Sequence, residues 1–425
     1  MEFLEHLKIY LSEEEIVSLA TSLSQKSEHA LLLNTAKLSQ ERLLELFPSL
    51  KKHPIVNNAF LYEKEQLDLG KSIYHELGCF YLQEPSAMVP AFLLNPSEED
   101  IVLDLCAAPG GKSVQASFLM NNKGLIIAND IARNRAFAIS ENAERLGLGN
   151  LLITNNDFSS IYHHFVNTFD KIILDAPCSG SGMFRKENKM KEDWSYQKVL
   201  KCAEIQKSLI DIAYEMLKPG GLMVYSTCSF SYEEDEEIVK HLLNHTDASL
   251  EEIPYSDLYH QSKSGIGVHL FPSIFPGEGQ FIALIKKPGQ IIHTTKKKEK
   301  NDSLYKIATP YPYIKKYGDY LYTMPLDFNV KHLNVIRYGV KVGQIDKNDI
   351  RYDYHYAHFI NDFSNILEIK QEDVYNYCLG ESINEATQKG YVLLRYQGIN
   401  IDIAKSDGRL VKNRLPKGLR KKLLF

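Results

Sequence analysis

Between residues 101 and 227, short apolar segments alternate with amphipathic helical patterns, and this alternation constrains the fold more than any other feature. The apolar segments lie at 101–105, 124–129, 151–155, 170–175 and 221–227. Helical patterns lie at 113–121, 131–146 and 197–217. Strands that alternate with helices predict an α/β fold with a parallel, doubly wound sheet. The segment at 279–287 is expected to close its edge as part of a hairpin-like pair. Ligands of such sheets bind beyond the carboxyl ends of the strands.

The first predicted strand runs directly into the segment CAAPGGK, from Cys106 to Lys112. Its small residues and two glycines allow a ligand to approach the backbone closely, and a helix is expected to begin at Lys112. A tight turn without a ligand is the alternative, because a glycine turn alone is weak support for binding. Nicotinamide dinucleotides require three spaced glycines, whereas this loop has only the adjacent pair Gly110 and Gly111. A nucleoside without a pyrophosphate, such as S-adenosylmethionine, fits better.

Acidic residues stand at or next to the carboxyl ends of four successive strands, namely Asp104, Asp130, Asp157 and Asp175. Because a parallel sheet brings these ends to one edge, the four acids are predicted to converge on one cleft. An acid after the second strand suits hydrogen bonds to a ribose diol, and Asp157 suits an adenine amino group. An acid-lined cleft also suits a cationic sulfonium. Each acid alone has the alternative interpretation of a loop acid or a helix cap.

Two of the six cysteines, Cys178 and Cys228, follow the fourth and fifth strands in the segments DAPCSGSG and STCS. They are predicted to lie on the ligand-binding edge, where a reactive role is the better interpretation. Cys79, Cys202 and Cys378 are interpreted as small buried hydrophobic residues. The cysteines form no CxxC pair, so we expect neither a disulfide framework nor a zinc ribbon, and no metal site.

Thiols beside a nucleoside cofactor suit methylation of a pyrimidine carbon. Carbon-5 is a poor nucleophile, but a thiolate that adds at carbon-6 creates a carbanion at carbon-5 that can attack the methyl sulfonium. An acid must then hydrogen-bond the ring nitrogen, and a base must remove the carbon-5 proton. Methylation of an amine or a ribose would require no thiol. The residues alone leave open which of Cys178 and Cys228 attacks.

The segments CAAPGGK, DAPCSGSG and STCS, in this order and spacing, resemble the RNA cytosine-5 methyltransferases of the NOL1/NOP2/Sun family. Within that family the chain is most similar to the bacterial 16S ribosomal RNA methyltransferase F group, because it also contains FYLQEPSAM, GEGQF (277–281) and KNRLPKGLR (412–420). The resemblance implies a Rossmann-like class I methyltransferase sheet that uses S-adenosylmethionine. It also implies a small N-terminal RNA-positioning domain and a C-terminal PUA-like RNA-binding domain.

The resemblance also assigns roles to individual residues. It makes Cys228 the nucleophile, Cys178 the residue that assists product release, and Asp175 a contact of both the cofactor and the target base. The remaining cofactor contacts that it implies are Cys106, Ala107, Ala108, Pro109, Gly110, Gly111, Lys112, Asp130, Arg135 and Asp157.

The chain departs from the family pattern at three places. Leu32 stands where family members often have an arginine, which puts that RNA contact in doubt. The C-terminal stretch GINIDIAKSDGR lacks the glycine–tryptophan pair common in the PUA-like unit. The segment EEDEEIV (233–239) is more acidic than usual, which suits the start of a helix because the helix dipole favours acids there.

The length of 425 residues predicts two or three domains. We expect an N-terminal domain at 1–66, a catalytic domain at 67–287, a linker at 288–303 and a C-terminal region at 304–425. The N-terminal domain is predicted to be helical, with a possible short strand in ALLLNTAK (30–37).

The composition of the chain indicates where in the cell the protein is located and which partners it binds. The 44% of hydrophobic residues and 24% of charged residues are ordinary for a globular protein, and the sequence has neither a membrane-length apolar run nor a signal-peptide pattern. We therefore expect a cytoplasmic protein, without membrane association and monomeric. The net charge of −5 hides two basic clusters, at Lys405–Lys422 and at 296–300. These are interpreted either as solvated segments or as contacts with the phosphate backbone of RNA.

The predicted substrate is RNA, with 16S ribosomal RNA or the small ribosomal subunit favoured. The same cytosine chemistry on transfer RNA is the nearest alternative. A non-catalytic RNA-binding protein of ribosome assembly is disfavoured by the two thiols, and a dinucleotide oxidoreductase is disfavoured by the missing third glycine.

Overall fold

The computed structural model of the chain describes residues 2–186, 188–291, 307, 309–346, 349–420 and 422. Most of the predicted linker, from 292 to 303, lies outside the described residues, as does the basic cluster at 296–300.

The N-terminal part combines four helices with a small antiparallel sheet. In chain order its elements are α1 (Glu2–Leu7), α2 (Glu13–Ser22), β1 (His29–Leu33), α3 (Gln40–Leu46), β2 (Lys51–Lys52), β3 (Ala59–Tyr62), α4 (Ile73–Glu76) and β4 (Phe80–Gln83). The sheet order is β2-β3-β1-β4. Ser12 begins α2 through a capping box, in which its hydroxyl accepts from Glu15 N and the Glu15 carboxylate accepts from Ser12 N.

This part is less helical than the sequence predicted, because β1 is joined by three further strands. β4 lies beyond the predicted boundary at residue 66 yet pairs with β1, with Leu82 opposite Leu31. Its apolar residues explain this placement, since Phe80 is fully buried in a core that this sheet shares with the C-terminal domain. Leu32, at the position of the expected RNA-contacting arginine, is also buried.

The catalytic part alternates strands and helices as the sequence predicted. Its first half contains α5 (Val89–Leu94), β5 (Ile101–Asp104), α6 (Gly111–Leu119), β6 (Leu125–Asn129), α7 (Arg133–Leu146), β7 (Leu151–Thr154), α8 (Phe158–Ile161) and β8 (Phe169–Asp175). Its second half contains α9 (Asn188–Glu192), α10 (Tyr196–Met216), β9 (Leu217–Thr227), α11 (Glu236–His245), β10 (Ser249–Glu251), β11 (His260–Gln261), β12 (Val268–Leu270) and β13 (Gln280–Lys286).

Strands β9, β8, β5, β6 and β7 lie side by side and parallel, and β13 pairs antiparallel with β9, as predicted for the segment at 279–287. Successive strand residues point to opposite faces, so Val102 packs in the core with α5–α7 whereas Leu103 packs in the core with α10 and α11. Both faces are therefore covered, which confirms the doubly wound α/β architecture. It also brings the carboxyl ends of the five parallel strands to one edge.

The C-terminal part contributes both to this sheet and to a separate domain. Its elements are β14 (Tyr313–Tyr317), β15 (Tyr320–Met324), β16 (Val335–Tyr338), β17 (Val340–Asp346), β18 (Asp349–Tyr352), α12 (Tyr354–Phe359), β19 (Ile366–Glu368), α13 (Gln371–Leu379), β20 (Gly390–Tyr396), β21 (Ile399–Ser406) and β22 (Val411–Lys412). β16 extends the catalytic sheet by pairing antiparallel with β7. The other strands form two four-stranded sheets, β14-β15-β17-β18 and β19-β20-β21-β22.

The basic C-terminal stretch divides into structural and exposed cations. The Arg414 guanidinium donates to the carbonyl oxygens of Ile403 and Tyr352, both at 3.0 Å, so this residue of KNRLPKGLR holds the domain together. Arg420 is exposed but its Nε also donates to Leu415 O at 3.1 Å. Other exposed cations of the stretch are Lys405, Arg409, Lys412, Lys417 and Lys422. Among the described residues, no helix combines the length and apolar character needed to cross a membrane.

Candidate active site

The loop between β5 and α6 forms the centre of the predicted cofactor edge. Gly110 has φ +108°, a left-handed conformation that side chains rarely adopt, and a Cβ there would lie 3.2 Å from Ile139 Cγ2. Ala107 N donates to Asn129 O at 2.7 Å, which ties the loop to the end of β6. Gly110 therefore allows a tight approach between this loop and α7.

Asp104, at the end of β5, lies beneath this loop and is 1% exposed. Its Oδ2 accepts from Ser113 Oγ at 2.6 Å, while the described residues offer Oδ1 no hydrogen-bond donor. Burial raises the pKa of Asp104 to about 7. The edge thus holds a buried acceptor with unused capacity, which suits a ligand that donates hydrogen bonds.

Asp130 and Arg135 flank the other side of the loop. Asp130 Oδ1 accepts from Ala132 N at 2.8 Å, and Arg135 Nη1 lies 3.5 Å from Asp130 Oδ2. Arg135 Nη2 also donates to Ala108 O at 2.7 Å. Arg135 therefore connects the loop to the acid at the end of the second strand.

Asp157 begins the short helix α8, and its Oδ1 accepts from both Ser159 N at 3.0 Å and Ser159 Oγ at 2.6 Å. The helix-cap interpretation of this residue is therefore realised. Its contact with an adenine remains a prediction.

Asp175, at the end of β8, connects the loop Cys106–Lys112 to the neighbouring strands. Lys112 Nζ lies 2.8 Å from Asp175 Oδ2, while Oδ1 accepts from Ser226 Oγ at 2.7 Å and Gln280 Nε2 at 2.9 Å. Lys112 and Gln280 are buried, whereas the Asp175 side chain is 34% exposed. The carboxylate is fixed in orientation and still reaches the cleft.

The two predicted thiols come together, with Cys178 Sγ and Cys228 Sγ 3.0 Å apart. This separation is well beyond the S–S bond of about 2.05 Å, and both cysteines are free. The contact with Cys228, together with burial, raises the pKa of Cys178. Burial raises the pKa of Cys106 and, to about 12, that of Cys79. Those two thiols are therefore poor candidates for a thiolate.

Glu234, in the acidic segment before α11, joins the two thiol loops. Its Oε1 accepts from Ser179 N at 2.7 Å and Gln206 Nε2 at 3.2 Å. Its Oε2 accepts from Ser229 Oγ at 2.7 Å and also from the Ser179 hydroxyl. Ser179 follows Cys178, and Ser229 follows Cys228. One buried carboxylate therefore fixes the backbone next to both thiols.

Gly182, the last residue of DAPCSGSG, provides a second connection. Its N–H donates to Cys228 O at 2.7 Å, and a Cβ at this position would lie 2.8 Å from that oxygen and 2.9 Å from Gly279 O. The close approach of three backbone segments requires glycine here.

Glu84 joins the segments QEPSAM and GEGQF behind the site. Its carboxylate accepts from Ser86 N at 3.0 Å, Ala87 N at 2.8 Å and Glu278 N at 2.6 Å. Arg185 lies beside them, with its Nε 3.1 Å from Glu278 Oε2. These segments therefore hold the strand that presents Gln280 to Asp175.

The structure brings Asp175, Cys178 and Cys228 together and places the loop Cys106–Lys112, Asp130 and Arg135 on the same sheet edge. The supporting contacts of Glu234, Gln280 and Glu84 were not predicted from the sequence. The segments that contain them were recognised only as family markers or as a helix start, so their motif membership was the available signal.

Comparison with known proteins agrees with this geometry. Residues 91–286 match the family described as 16S rRNA methyltransferase RsmB/F, residues 1–85 match the N-terminal domain of 16S rRNA methyltransferase RsmF, and residues 364–421 match the methyltransferase RsmF PUA domain.

Full-length relatives are similar throughout. The ribosomal RNA small subunit methyltransferase F of Vibrio campbellii is 31% identical over 99% of this chain and 96% of its own length. That of Shewanella piezotolerans is 30% identical over 98% and 95%.

Among solved structures, NSun6 from Pyrococcus horikoshii with SFG has a TM-score of 0.60 and 25% identity, covering 68% of this chain and 98% of that one. A methyltransferase homologue from Pyrococcus horikoshii has a TM-score of 0.59 and 30% identity, covering 67% and 93%. The class I, S-adenosylmethionine-dependent methyltransferase fold with its PUA domain is therefore confirmed, and the chain belongs to the 16S ribosomal RNA methyltransferase RsmF family, within the NOL1/NOP2/Sun group.

Proposed function

We propose that this protein methylates carbon-5 of cytosine in 16S ribosomal RNA and uses S-adenosylmethionine as the methyl donor. The observation that carries the proposal is the pair of free thiols 3.0 Å apart, on the sheet edge that also presents Asp175 and the glycine loop. Methylation of an amine or a ribose hydroxyl gives no reason for two thiols at this edge.

The residues present fit the methyl donor. Asp104 offers a buried oxygen without a partner among the described residues, and Asp130 offers carboxylate oxygens that suit a ribose diol. The loop Cys106–Lys112 and Arg135 complete the proposed binding residues, with Asp157 as a further contact. When bound, S-adenosylmethionine supplies an electrophilic methyl group.

In the proposed reaction the ring nitrogen of the cytosine takes up a proton and its N–H donates to the Asp175 carboxylate, while the Cys228 thiolate forms a bond to carbon-6. The positive charge at the ring nitrogen favours the negative charge that develops at carbon-5. After methyl transfer to carbon-5, the carbon-5 proton passes to solvent water with the assistance of Cys178. Loss of that proton re-forms the double bond between carbon-5 and carbon-6 and expels the Cys228 sulfur. The contact between the two sulfur atoms suits these successive roles, and the family resemblance favours Cys228 as the thiol that attacks.

The test compares Cys228→Ala, Cys178→Ala and a matched control, Cys378→Ala, whose thiol is buried in the C-terminal domain. Each variant is incubated with radiolabelled S-adenosylmethionine and either 30S subunits, naked 16S RNA or transfer RNA. The substrates come from cells that lack the gene, and the product nucleoside is identified by mass spectrometry.

We expect the control to form 5-methylcytosine in 16S RNA, and Cys228→Ala to form none while it still binds S-adenosylhomocysteine. Cys178→Ala should remain covalently attached to RNA on a denaturing gel, because product release is impaired. Methylation only of transfer RNA would contradict the proposed substrate. Activity retained by Cys228→Ala would contradict the proposed mechanism.

A further inference from the structure

Helices α10 and α11 pack together. Between them lie three side chains of the types that bind metal ions, and none of the three belongs to the thiol loops. Asp211 lies on α10, and His241 and His245 lie one turn apart on α11. Asp211 Oδ2 is 3.1 Å from His241 Nε2, and Asp211 Oδ1 is 3.2 Å from His245 Nε2. The three side chains are between 33% and 45% exposed, so an ion can reach them from solvent.

The hydrogen bond of His245 Nδ1 determines whether His245 Nε2 carries a hydrogen or a lone pair toward Asp211. His245 Nδ1 lies 2.5 Å from the backbone carbonyl oxygen of His241. A carbonyl oxygen only accepts, so Nδ1 carries a hydrogen, and Nε2 of the neutral ring presents a lone pair. Metal-binding histidines are commonly oriented in this way, with the second ring nitrogen donating to a backbone carbonyl.

The facing carboxylate oxygen is also an acceptor. Asp211 Oδ1 is shielded from solvent, and the described residues offer it no hydrogen bond. Two lone pairs 3.2 Å apart repel each other unless a positive charge lies between them. That charge is either an additional proton on His245 or a metal ion shared by both atoms.

The spacing of these nitrogen and oxygen atoms suits a metal ion. Zinc binds imidazole nitrogen at about 2.0–2.1 Å and carboxylate oxygen at about 2.0–2.2 Å, which places neighbouring ligands of a tetrahedral ion about 3.3 Å apart. The separation of 3.1 Å to Asp211 Oδ2 and that of 3.2 Å to Asp211 Oδ1 are each close to this value. One ligand atom from each of the three residues lies within 4.8 Å of the other two. Two imidazoles and one carboxylate suit zinc and its neighbours in the first transition series rather than magnesium or calcium.

We propose that Asp211, His241 and His245 form a binding site for one divalent transition-metal ion of the zinc class, with solvent in the remaining coordination position. The ion links α10 to α11, the helices that follow the two thiol loops. This site is independent of the proposed methylation.

The test uses the full chain without a polyhistidine tag, treated with a chelator and then dialysed. Zn²⁺ is titrated by calorimetry, and Co²⁺ is titrated by absorption. Cobalt bound by nitrogen and oxygen gives visible bands without the near-ultraviolet charge-transfer band of thiolate ligands, so binding at Cys178 and Cys228 is distinguished. The paired variant is His241→Gln with His245→Gln, and the matched control is His163→Gln with His164→Gln, an exposed histidine pair elsewhere.

We expect the wild type and the control to bind one equivalent of metal with a nitrogen–oxygen spectrum, and Zn²⁺ to raise their melting temperature. The His241/His245 variant should lose that equivalent and that rise while keeping its circular dichroism spectrum. The Asp211→Asn variant provides a second test if the double variant does not fold. The proposal would be overturned if the wild type binds no metal or binds it only through thiolates. It would also be overturned if the double variant binds metal with the same affinity as the wild type. The three side chains would then form two imidazolium–carboxylate pairs.

Discussion

Replacement of Glu234 by alanine tests whether this buried carboxylate positions the two thiol loops. The substitution leaves four hydrogen bonds without their acceptor, from Ser179 N, the Ser179 and Ser229 hydroxyls and Gln206 Nε2. Glu234→Gln is the matched control, since its side-chain oxygen still accepts from Ser179 N and Gln206, and its amide can donate to the two hydroxyls.

The expected loss follows from these contacts. At about 1 kcal/mol net per hydrogen bond, four would contribute about 4 kcal/mol to the free energy of unfolding. The two hydroxyl oxygens are already 3.4 Å apart and can bond each other, which reduces the expected loss to about 2–3 kcal/mol. For a catalytic domain of this size each kcal/mol lowers the melting temperature by about 2–4 °C, so we expect a decrease of about 4–12 °C.

The effect on turnover should exceed the effect on binding. A displacement of reacting groups by about 1 Å can reduce the rate about 100-fold. We therefore expect Glu234→Ala to lower kcat strongly while the KM for S-adenosylmethionine changes little, and Glu234→Gln to stay within about tenfold of the wild type, equivalent to about 1.4 kcal/mol.

The measurements are thermal unfolding followed by the fluorescence of Trp194, the single tryptophan, and steady-state methyl transfer to 16S RNA. An alanine variant that melts within about 1 °C of the wild type and turns over at the same rate would refute the positioning role. A glutamine variant as impaired as the alanine variant would show that the charge, rather than the set of hydrogen bonds, is required.

Two further substitutions test other contacts at this edge. Because burial raises the pKa of Asp104 to about 7, above its value of about 3.9 in an unfolded chain, its stabilising contribution is present below about pH 4 and is lost as the pH rises through 7. Asn keeps an acceptor for Ser113, so the unfolding free energy of the wild type relative to Asp104→Asn should fall by about 2–3 kcal/mol between about pH 5 and about pH 8. Parallel curves in paired urea titrations would contradict this. Gly182→Ala should displace the backbone at Cys228 and reduce kcat at least about tenfold, while a Gly70→Ala control, whose Cβ would make only ordinary contacts of 3.7 and 3.9 Å, keeps the wild-type rate. Equal rates for Gly182→Ala and the wild type would show that the loops accommodate the added methyl group without loss of activity.

The sheet was predictable because its information is local. Each parallel strand is a short apolar run bounded by turn residues, and each helix shows its own periodicity. The position of the acids followed from the same pattern, since Asp104 and Asp175 end their strands and parallel strands share one carboxyl edge. The position of the two thiols could be predicted for the same reason, because Cys178 and Cys228 come after the neighbouring strands β8 and β9.

The remaining features depend on contacts between distant parts of the chain. Gln280 donates to Asp175, 105 residues away, and β16 extends the catalytic sheet from within the C-terminal region. β4 joins the N-terminal sheet because its alternate residues can be buried against two different cores. A single-sequence pattern reports that a strand is apolar on both faces but does not report which neighbour covers it.

The acidic segment from Glu233 to Glu237 shows how such contacts change the meaning of a local pattern. The prediction that this segment starts a helix is correct for Glu236 and Glu237, which occupy the first turn of α11. Glu234, Asp235 and Glu236 are nevertheless buried, and buried acids require partners or a change of protonation.

The partners of these acids come from separate parts of the molecule. Burial also raises the pKa of Asp235, which favours a neutral carboxyl group beside its acidic neighbours. The pairs are Glu233 with His6 of α1, Glu234 with the thiol loops, Asp235 with Thr227, Glu236 with His269 of β12 and Glu237 with Lys207 of α10. The excess of acids relative to the family pattern therefore connects the N-terminal helix, the thiol loops and the edge of the sheet. Glu233, which pairs with His6 of α1, is adjacent in sequence to Glu234, the carboxylate that joins both thiol loops.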